Sequence, residues 1–177
     1  KRGLVSASLT GLVMAVVVAC GGGGGGGSFA GIDRLGVTTG TINGFGSVIV
    51  NGVEYDTDDA TFDIDDNGGS QALLRVGQQV TIRWDSLDDG VTRRAQSVSY
   101  DDTLEGPIAS IDLANQTLVV LGQVVIVDAA TSFDDEILPR DLTGLVVDDV
   151  VEVSGLIDAT GAIRATRIDI SENFDDF

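Results

Sequence analysis

The chain has 177 residues, enough for one medium domain or two small ones, and its 28 acidic residues against 10 basic ones give a net charge of −18. That balance argues against nucleic acid as a partner, because binding to phosphate backbones rests on Lys and Arg, and against charge-driven attachment to anionic lipid. With no His and a single Cys, the chain lacks the commonest general base and transition-metal ligand, and it excludes an internal disulfide and any Cys-based zinc site.

Lys1 and Arg2 precede an apolar stretch that runs to Ala19, the charge-then-apolar pattern of a secretory signal. The stretch ends in Val17-Val18-Ala19-Cys20, which resembles the lipobox of bacterial lipoproteins. The resemblance implies a signal peptide over residues 1–19, a diacylglycerol on the Cys20 sulfur, and a further acyl chain such as palmitate on its amine. The competing reading is a transmembrane helix with a buried Cys, but a run of about 17 residues is at the short limit for a span. Seven glycines follow at once, at positions 21–27. Residues 20–36 then read as a lipidated Cys and a flexible linker, the glycines and Ser28 spanning roughly 15 Å as a random coil. By the same resemblance, Gly rather than Asp at position 21 implies sorting to the outer membrane in a two-membrane envelope. After removal of residues 1–19 the chain holds no Lys, and 28 acids face 8 Arg, a net −20.

Hydrophobic residues make up 43% of the chain, too many for a disordered acidic tail, and beyond residue 35 the pattern is that of strands. Strands are expected near 38–45, 47–51 and 53–56, the last two joined by Asn51-Gly52, a strong hairpin signal. Two more are expected near 78–85, where Val80, Ile82 and Trp84 share a face, and near 91–100. The set recurs near 104–112, 117–121, 123–128, 149–157 and 162–170, with residues 134–145 able to hold a short helix between the third and fourth.

The two halves match one another. Gly40-Thr41-Ile42 recurs as Gly106-Pro107-Ile108, and Ser47-Val48-Ile49-Val50 as Thr117-Leu118-Val119-Val120. Leu74-Arg75-Val76-Gly77 recurs as Leu145-Val146-Val147-Asp148, and Arg94-Ala95 with Val98 as Arg164-Ala165 with Ile168. The boundaries are module one at 37–102, module two at 103–171, and an acidic tail at 172–177. Five strands with the long connection between the third and fourth is the order of a small OB-like barrel, and closure avoids exposed sheet edges. The fold class expected is all-β, with two tandem five-stranded OB-like β-barrels behind a lipoprotein leader and a Gly-rich tether. Modules this small are marginal alone, so the copies are expected to pack on each other.

The Leu-x-Val-Gly-x-x-Val element, the Arg-Ala-x-x-Val/Ile ending, the tandem copies and the leader together resemble bacterial DUF5666 proteins over residues 38–171. The resemblance implies secreted or lipid-anchored chains with tandem β-barrel copies and no assigned biochemical function. Asp148 departs from it, standing where the Gly of the first element sits.

Among candidate site residues, Asp63-Ile64-Asp65-Asp66-Asn67-Gly68 matches the opening of a calcium loop, with Asp63, Asp65 and Asn67 as oxygen ligands and Gly68 at the turn. Asp56, Asp58 and Asp59 lie near enough in sequence to complete a shell. Position 12 is Leu74 instead of Glu, and the second copy has Asp134-Asp135-Glu136 without the motif, so a solvated acidic turn is the competing reading. Trp84, replaced by Gly155 in copy two, is either a binding platform for a ring or a cap on the core. Arg83, Arg93 and Arg94 either pair with acids across strands or dock copy two. Adjacent acids such as Asp88-Asp89 and Asp148-Asp149 read as solvated turns, and Gly44-Phe45-Gly46-Ser47 is a glycine turn without a nucleophile motif. The expected function is a lipid-anchored, non-catalytic envelope module binding a protein or a glycan. The alternatives are a calcium-stabilised surface protein and, last, a polysaccharide- or peptidoglycan-acting enzyme.

Overall fold

A computed structural model describes residues 35–86 and 93–171. The leader with Cys20, the glycine tether, Asp88-Asp89 and the acidic tail lie outside the described residues.

Module one opens with β1 (Leu35–Gly44), a strand long enough to pair with β2 (Val48–Val50) at one end and β6 (Gln79–Ser86) at the other. A register shift between Ile42 and Gly44 bends it between the two tasks, as bulges do at barrel corners. β2 and β3 (Val53–Asp56) form the expected hairpin, with Asn51 and Gly52 at φ of 52° and 75°. Both central residues of a type I′ turn need positive φ, which Asn-Gly supplies at little cost. β6 runs antiparallel to β7 (Arg93–Tyr100), and β7 pairs in parallel with β3, closing the order β3-β2-β1-β6-β7 into a barrel.

Module two repeats this with β8 (Leu104–Asp112), β9 (Thr117–Val120), β10 (Gln123–Ile126), β12 (Val150–Ile157) and β13 (Ile163–Ile170), closed by β10 on β13. Its hairpin uses Leu121-Gly122 at φ of 49° and 82°, so the same turn is built without the Asn-Gly signal. Alternate residues fill each barrel. Ile42, Val48, Val80, Ile82 and Val98 make one core, and Ile108, Leu118, Val151, Val153 and Ile168 make the other, all at most 1% exposed.

The long connections depart from expectation. In module one, residues 57–78 contain an unforeseen hairpin, β4 (Thr61–Ile64) and β5 (Asn67–Gly68), with β4 lying parallel to β7. In module two, the short helix expected over 134–145 reduces to one 3-10 turn at Leu142–Gly144, preceded by a two-residue strand, β11 (Ser132–Phe133). Asp134 Oδ1 accepts from the Glu136 N–H, and Asp141 Oδ1 from the Thr143 N–H. These side chains offer the backbone local turns that compete with a continuous helix.

Candidate functional site

The two barrels differ at one end. In module one, Trp84 sits opposite Gly36 on β1, where a Cβ would lie 2.2 Å from the indole Cζ2. Only glycine lets the ring lie flat there. Trp84 Nε1 donates to Thr38 Oγ1 at 3.0 Å, and Thr38 Oγ1 is 2.7 Å from the Tyr55 hydroxyl. Arg93, paired across the closing strands with Tyr55, places its guanidinium 5.1 Å from the Trp84 ring centre and 6.0 Å from that of Tyr55. A cation at that range over aromatic faces is attracted by their quadrupoles. Trp84 therefore packs against the core of module one and holds Arg93 at the rim of a polar mouth.

Beside Arg93 lies an open cleft of about 650 Å³ bounded by Val53, Glu54, Asp56 and Asp58. At the strand behind it, Arg94 holds Asp85 through two hydrogen bonds of 3.2 and 2.9 Å, and this pairing keeps the Asp85 carboxyl below its ordinary range. Arg94 thus pairs across strands, one of the two roles foreseen for the cations of copy one. In module two, Ile163 stands at the position of Arg93, Val125 at that of Tyr55, and Gly155 at that of Trp84. The mouth belongs to module one alone. The Arg93 stack was not legible beforehand, because it depends on which residues the parallel closing pair sets side by side.

The calcium-like segment is the tip of the β4–β5 hairpin. Asp65 and Asp66 occupy its two turn positions at φ of 49° and 59°, and Asn67 Nδ2 donates to the Asp65 carbonyl at 2.7 Å. Asp63 and Asn67 lie on the two arms, adjoining Gly68 and Ile64 in register. Among the described residues, no three His, Cys, Asp or Glu side chains are grouped to hold a metal ion.

A second polar region lies where the barrels meet. Ser154, Arg167 and Asp169 point away from the core of module two, yet each is buried under module one. Arg167 forks onto Asp169 and donates to the Val76 carbonyl of module one at 3.2 Å. Gly77, at φ of 97°, packs so closely that a Cβ would lie 2.7 Å from the Thr166 carbonyl. Behind these contacts Glu105, Glu152 and Asp169 stand directly opposite one another on β8, β12 and β13. Burial, then the neighbouring charges of Glu105, Asp65, Asp169 and Asp102, push the Glu152 carboxyl up to about 7. Burial likewise raises Asp65, Asp102 and Asp169, although Arg167 works against the shift at Asp169.

A family model described as a domain of unknown function (DUF5666) matches the chain twice, over residues 36–99 and 105–169, one match per barrel. The chain belongs to that family, as its repeated motifs led one to expect. No curated protein and no solved structure matches it.

Proposed function

We propose that this DUF5666 chain is a lipid-anchored envelope protein acting as a non-catalytic binding module, with the mouth of module one as its binding face. The observation that carries the reading is the Arg93–Trp84–Tyr55 stack beside an open cleft, present in one barrel and absent from its repeat. Duplicated folds diverge where one copy takes on a contact that the other does not, and function belongs to such a site and not to the fold. The polar groups of the mouth hold one another: Thr38 serves Trp84 and Tyr55, and Arg94 serves Asp85. That arrangement suits a fixed recognition surface better than proton transfer. Trp and Arg are also the side chains that most often anchor protein interfaces.

The membrane attachment rests on Val17-Val18-Ala19-Cys20 and the following glycines, which would keep both barrels clear of the bilayer. An envelope protein is the favoured partner and a glycan the second.

The test is co-purification. The lipidated full chain and its Arg93→Ala variant are solubilised from envelopes in mild detergent and recovered in parallel. The proposal expects one stoichiometric envelope protein with the wild type, lost with Arg93→Ala. Equal recovery with both would remove the mouth as the binding face. Recovery of no protein from either would shift the reading to a glycan.

A further inference from the structure

We infer that the joint between the two barrels is a proton-operated hinge, closed when the carboxylate ladder of module two takes up a proton and loosened when it releases it. The ladder is Glu105, Glu152 and Asp169, set side by side on three adjacent strands of one sheet. At the same three register positions module one carries Thr39, Thr81 and Ser99, with Thr39 and Thr81 joined hydroxyl to hydroxyl at 3.0 Å. The repeat thus shows that the fold itself is satisfied by neutral residues there. Like charges directly opposite across strands are destabilising, so the acids of module two add a cost the barrel does not require.

What makes that cost conditional is the cover. The groups that face Glu152 come from every element around it. Glu105 approaches from β8 and Asp169 from β13. Asp65 approaches from the tip of the β4–β5 hairpin, Asp102 from the segment after β7, and the buried phenol of Tyr100 lies close by. Arg75, Asp134 and Glu136 share with Glu152 and Asp169 a cleft of about 250 Å³ at the seam. The cations there are committed elsewhere. Arg167 is spent on Asp169, Asp134 and the Val76 carbonyl, and Arg75 donates back to the carbonyls of Ala72 and Leu74. Among the described residues neither Glu105 nor Glu152 has an ion pair. The proton on Glu152 is therefore the neutralising charge of the seam, in a group held up to about 7 by burial and its neighbours.

The direction follows from linkage. A carboxyl whose folded pKa is raised contributes stability that is complete below its ordinary value of 4.5 and is lost as pH rises through about 7. Acid closes the joint and mild alkali loosens it. The contacts that would part are directed ones. They are Arg167 to Val76, Ser154 to Tyr100 at 3.2 Å, and Gln79 to Thr166 at 3.4 Å.

The experiment is hydrogen–deuterium exchange on the full chain between about pH 5.5 and pH 8.5, corrected for intrinsic exchange rates, with small-angle scattering in parallel. In the wild type, protection of the amides at residues 76–79 and 166–169 should fall about tenfold, with a midpoint near the value of about 7 set for Glu152, while the largest dimension grows. Glu152→Gln should stay closed across the range. Glu105→Gln, which removes the largest neighbouring charge without touching the switching group, should move the midpoint downward. A flat wild-type profile, a transition unchanged in Glu152→Gln, or opening in acid would each overturn the inference.

Discussion

Ser154 Oγ, 1% exposed on module two, donates to the Tyr100 hydroxyl, whose ring is buried in the core of module one, at 3.2 Å. One hydroxyl pair thus ties the two hydrophobic cores together, and neither group has access to water to replace the other. Tyr100→Phe is expected to cost about 1–2 kcal/mol, because it leaves a buried Ser hydroxyl without its partner. Adding Ser154→Ala should cost less on top than Ser154→Ala costs alone, since the unpaired group is then gone. Thermal melts of the four members of this double-mutant cycle measure the coupling. Strict additivity would show that the bond does not link the barrels.

Gly77 and Asp148 occupy the same repeat position, both with positive φ, at 97° and 75°. Only Gly77 also faces the other barrel, with no room for a Cβ against Thr166. Gly77→Ala is expected to destabilise by about 1–3 kcal/mol through strain and lost packing at the joint. Asp148→Gly relieves the same backbone strain in module two and is expected not to lower the melting temperature. The comparison of the two melts separates backbone conformation from contact at the joint.

Trp84 is the only Trp, so its emission reports on the mouth of module one without interference. Gly36→Ala puts a methyl where the indole lies, at 2.2 Å from Cζ2, and should displace the ring toward water. The expected outcome is a red shift of the fluorescence maximum with the fold retained by circular dichroism. An unchanged spectrum would mean that the ring does not rest on Gly36.

The Asp63-to-Gly68 segment forms a hairpin whose turn positions are taken by Asp65 and Asp66. Its backbone is satisfied by the protein itself, the Asp65 N–H donating to the Tyr100 carbonyl at 2.9 Å and the Gly69 N–H to that of Phe62 at 3.2 Å, and folding is expected to proceed without an ion. A ligand present at a hundred times its Kd stabilises by about 2.7 kcal/mol. Melts in millimolar calcium and in chelator should therefore coincide within about 1 °C. A rise of several degrees with calcium would favour the calcium-stabilised reading.

The barrels were legible because their strands alternate with period two and the register is pinned by inward Val, Ile and Leu. The repeat itself supplied the strand order, since a motif such as Leu74-Arg75-Val76-Gly77 marks the same corner twice. The β4–β5 hairpin is not legible in the sequence because Asp65 and Asp66 take positive φ at a turn whose sequence also opens a calcium loop. The ladder of Glu105, Glu152 and Asp169 was invisible for a different reason. Residues 47 and 17 positions apart become neighbours only once three strands are paired, and in the sequence each is one acid among 28. The joint shares this character. Arg167 and Ser154 sit at outward positions that alternation assigns to solvent, and they are buried where they meet Val76 and Tyr100 of module one.

The most direct test of the account is photo-cross-linking in intact cells. With residues 1–19 removed as proposed, amine-reactive reagents would miss the protein, since the only Lys is Lys1. A photo-reactive residue is placed at Val53, on the cleft beside Arg93, and in a second chain at Val124, exposed on the corresponding hairpin of module two. The account predicts one recurrent envelope adduct through Val53 and none through Val124. Adducts through Val124 alone, or equally through both, would contradict the assignment of binding to the mouth of module one.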